Sequence, residues 1–144
     1  MNRSAGSETI HEMPLLYSLI AVAHALEAKL EAALAEVGLS AAKLGVLTLL
    51  AEAGEPLTLG DLAARQQCVR SNMTQLVDRL EAEGLVRRVP DPIDRRSVRA
   101  ALTEDGEGRQ QAGAVKAAAL QARFAEALPE QDRTTLRRIL SELG

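Results

Sequence analysis

Tyr17 and Phe124 are the only aromatic side chains in this sequence of 144 residues, although 47% of its residues are apolar. A core built here has to be made of Ala, Leu and Val. Ala loses no side-chain entropy in a helix and Leu loses little, so this alphabet predicts a mostly helical fold. The length suits one compact domain with a real core. The longest apolar runs fall well short of the roughly 18 residues that a spanning helix needs. The first residues lack the basic-then-apolar layout of a signal peptide, and the single Cys68 can form no internal disulfide. Both features lead us to expect a cytoplasmic protein with no membrane partner.

Hydrophobic periodicity divides the chain. Leu15, Leu19, Val22, Leu26, Leu30, Leu34 and Val37 recur at steps of three and four, which predicts a helix from Pro14 to Val37 stopped by Gly38. Ser40 is placed to cap a second helix over Ala41 to Glu52, with Leu44, Leu47 and Leu50 inward. Thr58, with Asp61 three residues on, predicts the start of a short helix to Arg65. A fourth helix opens at Arg70 or Ser71 and runs to about Glu83, with Met73, Leu76, Val77 and Leu80 as its buried stripe. Leu85 to Val89 and Val98 to Leu102 read as two short strands around a turn holding Pro90, Asp91, Pro92 and Asp94. Thr103 caps a fifth helix to Leu128, and Pro129 begins a sixth to about Leu143.

The short third helix, a turn and the longer fourth helix make a helix-turn-helix. Opposite its apolar stripe the fourth helix carries Arg70, Ser71, Asn72, Thr74, Gln75 and Arg79. Asn and Gln can bond adenine edges, Arg guanine edges, and Ser and Thr phosphates. The net charge of −3 argues against nucleic acid until it is resolved along the chain. From Arg65 to Arg99 eight arginines face five acids, and the remainder of the chain is acidic. Arginine presents a planar fork of donors that suits phosphates and guanine. Five of those eight, Arg87, Arg88, Arg95, Arg96 and Arg99, lie on or beside the turn of the hairpin. A basic hairpin next to such a helix is placed to reach a flanking minor groove.

Gly84 to Gly106, reading GLVRRVPDPIDRRSVRAALTEDG, resembles the wing signature of the MarR family of regulators. Ser71 to Glu81, SNMTQLVDRLE, resembles the family's recognition helix, and the helix order is similar over nearly the whole chain. The resemblance implies a mainly α winged helix-turn-helix with a small β-hairpin wing. It further implies a homodimer joined through its N- and C-terminal helices, bound to near-palindromic duplex DNA, usually as a repressor. The expected division is an N-terminal dimerisation helix over 1–38, a DNA-binding region over 39–103 and C-terminal dimerisation helices over 104–144, forming one compact domain overall. By the same resemblance Arg96 enters the minor groove, Asp94 orients it, and Arg95 meets phosphate. A small-molecule effector is implied too. Tyr17 and His24 are seven residues apart on one helix face and are the candidates to line its pocket.

Cys68 lies just before the fourth helix, near Arg65 and Arg70, where a thiol could act as a redox switch or be a small buried apolar group. Glu8, His11 and Glu12 have helical spacing, but no Cys-x-x-Cys or His-x-x-x-His accompanies them, so no metal and no cofactor is expected. No phosphate loop, Gly-x-Ser-x-Gly or His-Glu-x-x-His is present, so no catalysis is expected. The rival reading is a winged helix that docks on another polypeptide and never touches DNA.

Overall fold

The computed structural model describes residues 13–144, so Glu8, His11 and Glu12 lie outside the described residues. Six helices and three strands follow in the order α1 (Leu15–Ala35), α2 (Ala41–Ala53), β1 (Leu57–Thr58), α3 (Leu59–Arg65), α4 (Arg70–Ala82), β2 (Val86–Pro90), β3 (Val98–Leu102), α5 (Glu104–Glu126) and α6 (Glu130–Leu143). The helices match the sequence expectation to within a few residues, and their caps explain where they start. Ser40 accepts from the Lys43 N–H (3.2 Å), Thr58 from the Asp61 N–H (3.1 Å) and Thr103 from the Gly106 N–H (3.0 Å). Each bond satisfies a donor that the first turn of a helix leaves free.

The hairpin expected between residues 85 and 102 is part of a three-stranded antiparallel sheet of order β1-β3-β2. β2 and β3 pair from Val86–Leu102 to Pro90–Val98. The strand that sequence reading missed is β1, whose Leu57 and Thr58 pair with Ala100 and Arg99. Two residues are too few for a period-2 pattern, and Thr58 also caps α3.

The core lies between α2, α3, α4 and this sheet. Val46, Leu47, Leu62, Met73, Val77 and Leu80 are completely buried there. α1 adds only Leu34 to the buried set, and α6 adds nothing. Two glycines join this core to its neighbours. Gly84 has φ +74, the left-handed conformation that lets the chain leave α4 and turn into β2. At Gly106 a Cβ would lie 1.9 Å from the Leu85 carbonyl oxygen, so only glycine lets α5 start this close to the sheet. Among the described residues no helix is long and apolar enough to cross a membrane.

Candidate nucleic-acid interface

The turn between α3 and α4 fixes how α4 is presented. Gln66 ends α3, and Gln67 takes φ +52, a left-handed conformation that non-glycine residues adopt at a cost. The Cys68 N–H donates back to the Ala63 carbonyl (3.0 Å). The Cys68 side chain is half-buried and packed against the core, which fits the small apolar role better than an open thiol. Met73, Val77 and Leu80 anchor the inner face of α4, while Leu76 is partly buried.

The outer face is the reverse. Arg70, Ser71, Asn72, Gln75 and Arg79 are exposed. No hydrogen bond or ion pair engages their side chains among the described residues. Thr74 differs, because it is half-buried and its hydroxyl donates to the Arg70 carbonyl (3.0 Å). α4 has no side-chain cap at Val69 and no acid in its first turn, so its N-terminal N–H groups face outward with the partial positive charge of the helix dipole.

The loop between β2 and β3 is held by its own aspartates. Asp91 is buried at its base (8% exposed) and accepts from the Ile93 N–H (3.0 Å). Its carboxyl is held below the usual aspartate range, first by that bond and further by the Arg99 guanidinium. Asp94 accepts from the Arg96 N–H (2.9 Å), and the Ser97 N–H reaches the Asp94 carbonyl (3.0 Å). Asp94 thus orients Arg96 through its backbone, by an Asx-type turn, and does not hold its guanidinium. Arg95 and Arg96 are exposed, and neither side chain has a partner among the described residues.

The five arginines counted in and beside the turn therefore divide. Arg99 ion-pairs with Asp91 (3.3 Å) and donates to the Pro56 carbonyl (3.3 Å), tying the loop to the segment before α3. Arg88 bridges Asp78 (2.5 Å) and Glu81 (2.9 Å) of α4, and its pKa is raised chiefly by Asp78. Those two hold the scaffold. Arg87, Arg95 and Arg96 remain exposed, with no ion pair to their side chains among the described residues.

Tyr17 and His24 lie exposed on α1 and line neither of the apolar cavities beside that helix. One cavity, about 570 Å³, runs between α1 and α5 past Leu26, Leu30, Leu120 and Phe124. The other, about 380 Å³, is an open cleft lined by Leu30, Leu34, Leu44 and Leu49, with Thr48, Arg65 and Gln66 as polar members. Sequence reading missed Arg65 and Gln66. Their signal was position, because both stand at the end of α3 in the helix-turn-helix turn. Among the described residues no cluster of His, Cys, Asp or Glu is placed to hold a metal ion.

A model of the MarR family matches residues 39–98. The HTH-type transcriptional regulator YsmB of Bacillus subtilis is 43% identical over 61 residues, which are 42% of this chain and 41% of YsmB. The match thus spans less than half the length of that relative. The HTH-type transcriptional repressor MdtR of the same organism is 27% identical over 88% of this chain and 81% of its own. Among solved structures, CouR from Rhodococcus jostii RHA1, bound to p-coumaroyl-CoA, has a TM-score of 0.74 at 28% identity, covering 93% of each chain. The S. aureus MepR–DNA complex has a TM-score of 0.80 at 21% identity, covering 92% of this chain and 97% of that one, which shows the shared fold.

Proposed function

We propose that the chain is a member of the MarR family, whose model matches residues 39–98, and that it is a homodimeric transcription regulator, a repressor, that binds duplex DNA by sequence. The observation that carries this is the pairing of two surfaces that the chain itself leaves unsatisfied. One is the outer face of α4, with Arg70, Ser71, Asn72, Gln75 and Arg79; the other is the loop arginines Arg95 and Arg96. α4 enters the major groove, Thr74 turns its hydroxyl from the Arg70 carbonyl to donate to phosphate, and Arg96 reaches the flanking minor groove. MepR, of the same fold, has been seen on DNA. The regulator acts in the cytoplasm and carries out no chemistry of its own.

Residues 39–103 form the reading part in this proposal, with 1–38 and 104–144 as dimerisation helices. The apolar faces of α1 (Leu15, Leu16, Tyr17, Ile20) and α6 (Ile139, Leu140, Leu143) are exposed in the single chain and meet their counterparts in a second copy. His24 lies on α1 with them. An effector enters the cavity between α1 and α2, where Gln66 couples its arrival to the turn before α4. CouR, bound to p-coumaroyl-CoA, supports an effector of small-molecule class. An oxidative signal would act at Cys68, and comparing Cys68→Ser with the parent before and after peroxide decides it.

The test is a mobility-shift series against salt. A DNA binder loses affinity steeply as phosphate counterions return, and a flat response would instead favour a module that docks on protein. Arg96→Ala weakens binding by about 1–3 kcal/mol, and Gln75→Ala relaxes the preference at one base pair. An Arg96→Ala protein that binds like the parent overturns the loop assignment.

A further inference from the structure

We infer that Arg88 is a positioning residue that locks the β2–β3 wing to α4, so that the two groove-reading surfaces act as one rigid body; this rests on the DNA-binding reading above.

The geometry is specific. β2 is an outer strand, paired only with β3, so one edge of it is free. The Arg88 N–H lies on that edge and donates to Glu81 Oε2 (2.8 Å). The Arg88 guanidinium donates from Nη1 to Glu81 Oε1 (2.9 Å) and from Nη2 to Asp78 Oδ1 (2.5 Å). Asp78 and Glu81 are three residues apart and share one face of α4. One carboxylate therefore holds both the backbone and the side chain of the strand, and a second completes the fork. Lysine, a single point charge, cannot reproduce that arrangement. The Arg88 side chain is 25% exposed while Asp78 (58%) and Glu81 (40%) stand in solvent, so the clamp rests on its three-bond geometry and not on burial.

The position matters more than the pair itself. Arg88 sits in the middle of β2, and Ile93 at the tip of the loop is five residues further on. Extended chain of that length spans roughly 16 Å. A tilt of about 10° at the root would move the tip by roughly 3 Å, which is the full length of a hydrogen bond. The clamp contacts α4 at Asp78 and Glu81, on either side of Arg79 in sequence and beyond Gln75. It thus fixes the distance between the major-groove face and the minor-groove arginines. Any change that an effector makes must then move wing and helix together.

The test uses the full-length protein and a duplex that the parent selects from a random-sequence library. Removing Arg88 alone leaves two bare carboxylates that repel phosphate, so the variant that isolates positioning is Asp78→Asn/Glu81→Gln/Arg88→Met. Expected is a melting temperature within a few degrees of the parent and affinity roughly tenfold lower. Protection of the flanking minor groove and the base preference there should be lost, while central major-groove protection stays. A purely structural bond would not separate the two grooves in this way. Arg88→Lys keeps the charge but not the fork, and it shows the same loss of flanking protection even if the triple variant fails to fold. Either folded variant keeping both footprints at parental affinity overturns the inference. If the parent selects no duplex, the DNA reading falls and this inference falls with it.

Discussion

The central unit from α2 to β3 and the helices that flank it are written in the same Leu- and Ala-rich alphabet but use it in opposite ways. In the centre Leu47, Leu62 and Leu80 are fully buried, and each touches elements of its own chain. In α1, Leu15 is 87% and Leu16 is 64% exposed, and in α6 Leu143 is 66% exposed. A helical stripe of leucines therefore says that a face is to be covered, but not by what. The centre supplies its own cover, because a three-stranded sheet and three helices close around it. In the flanks the cover is incomplete: Leu34 is buried and Leu30 packs against the core, but the stripe residues Leu15, Leu16 and Leu143 stay exposed in the single chain. Apolar surface on this scale marks an association site.

Two variants press on this difference. Leu80→Ala opens a cavity in the centre and should lower the unfolding free energy by about 2–5 kcal/mol, read from urea unfolding followed by circular dichroism. A loss below about 1 kcal/mol would mean that the centre is not the tight core described here. Ile20→Glu with Leu140→Glu should do the opposite. The two side chains are 42% and 47% exposed in the single chain, so helix content should be kept. Association should weaken by about 1–3 kcal/mol or more, because a carboxylate is being desolvated in the interface. Sedimentation should then report a monomer for the variant and, if the proposed dimer holds, a dimer for the parent; a variant that still sediments as a dimer would place the interface elsewhere.

The same contrast governs what was legible in the sequence. Caps at Ser40, Thr58 and Thr103 are local, needing only a hydroxyl and an N–H three residues on, and all three form as read. The buried stripe of α4 was legible because Met73, Val77 and Leu80 recur at helical period. β1 was not, because its pairing with β3 joins residues more than 40 apart in sequence. The loop arginines were legible as a cluster but not as individuals. Nothing in the run from Arg87 to Arg99 tells that Arg88 turns back to Asp78 and Arg99 to Asp91, while Arg95 and Arg96 stay free. That sorting depends on which strand edge faces α4, a tertiary fact. Tyr17 and His24 stood out as rare residue types, yet the cavities are lined by leucines, with Arg65 and Gln66 as polar members.

The smallest expected effect lies in the loop, at the one buried carboxylate it contains among the described residues. Asp91 is held below the usual aspartate range by the Ile93 N–H and by Arg99, so folding favours its charged form. A depressed folded value means that its contribution is fully present above the ordinary value of about 3.9, and is lost as the pH falls through the lower folded value. At neutral pH the loop should therefore be insensitive to pH. Below the ordinary aspartate value the Ile93 amide should lose its partner, and its NMR shift should titrate with a midpoint under that of a free aspartate. Asp91→Asn can still accept from the Ile93 N–H but has no charge to lose, so the titration should vanish while the loop keeps its shape near neutrality. The amides of α6, which faces none of this, should not move over the same range. An Ile93 amide that titrates at the ordinary value would mean that Asp91 is not held by the loop it sits in, and that the wing is as loosely fixed as the flanking surfaces.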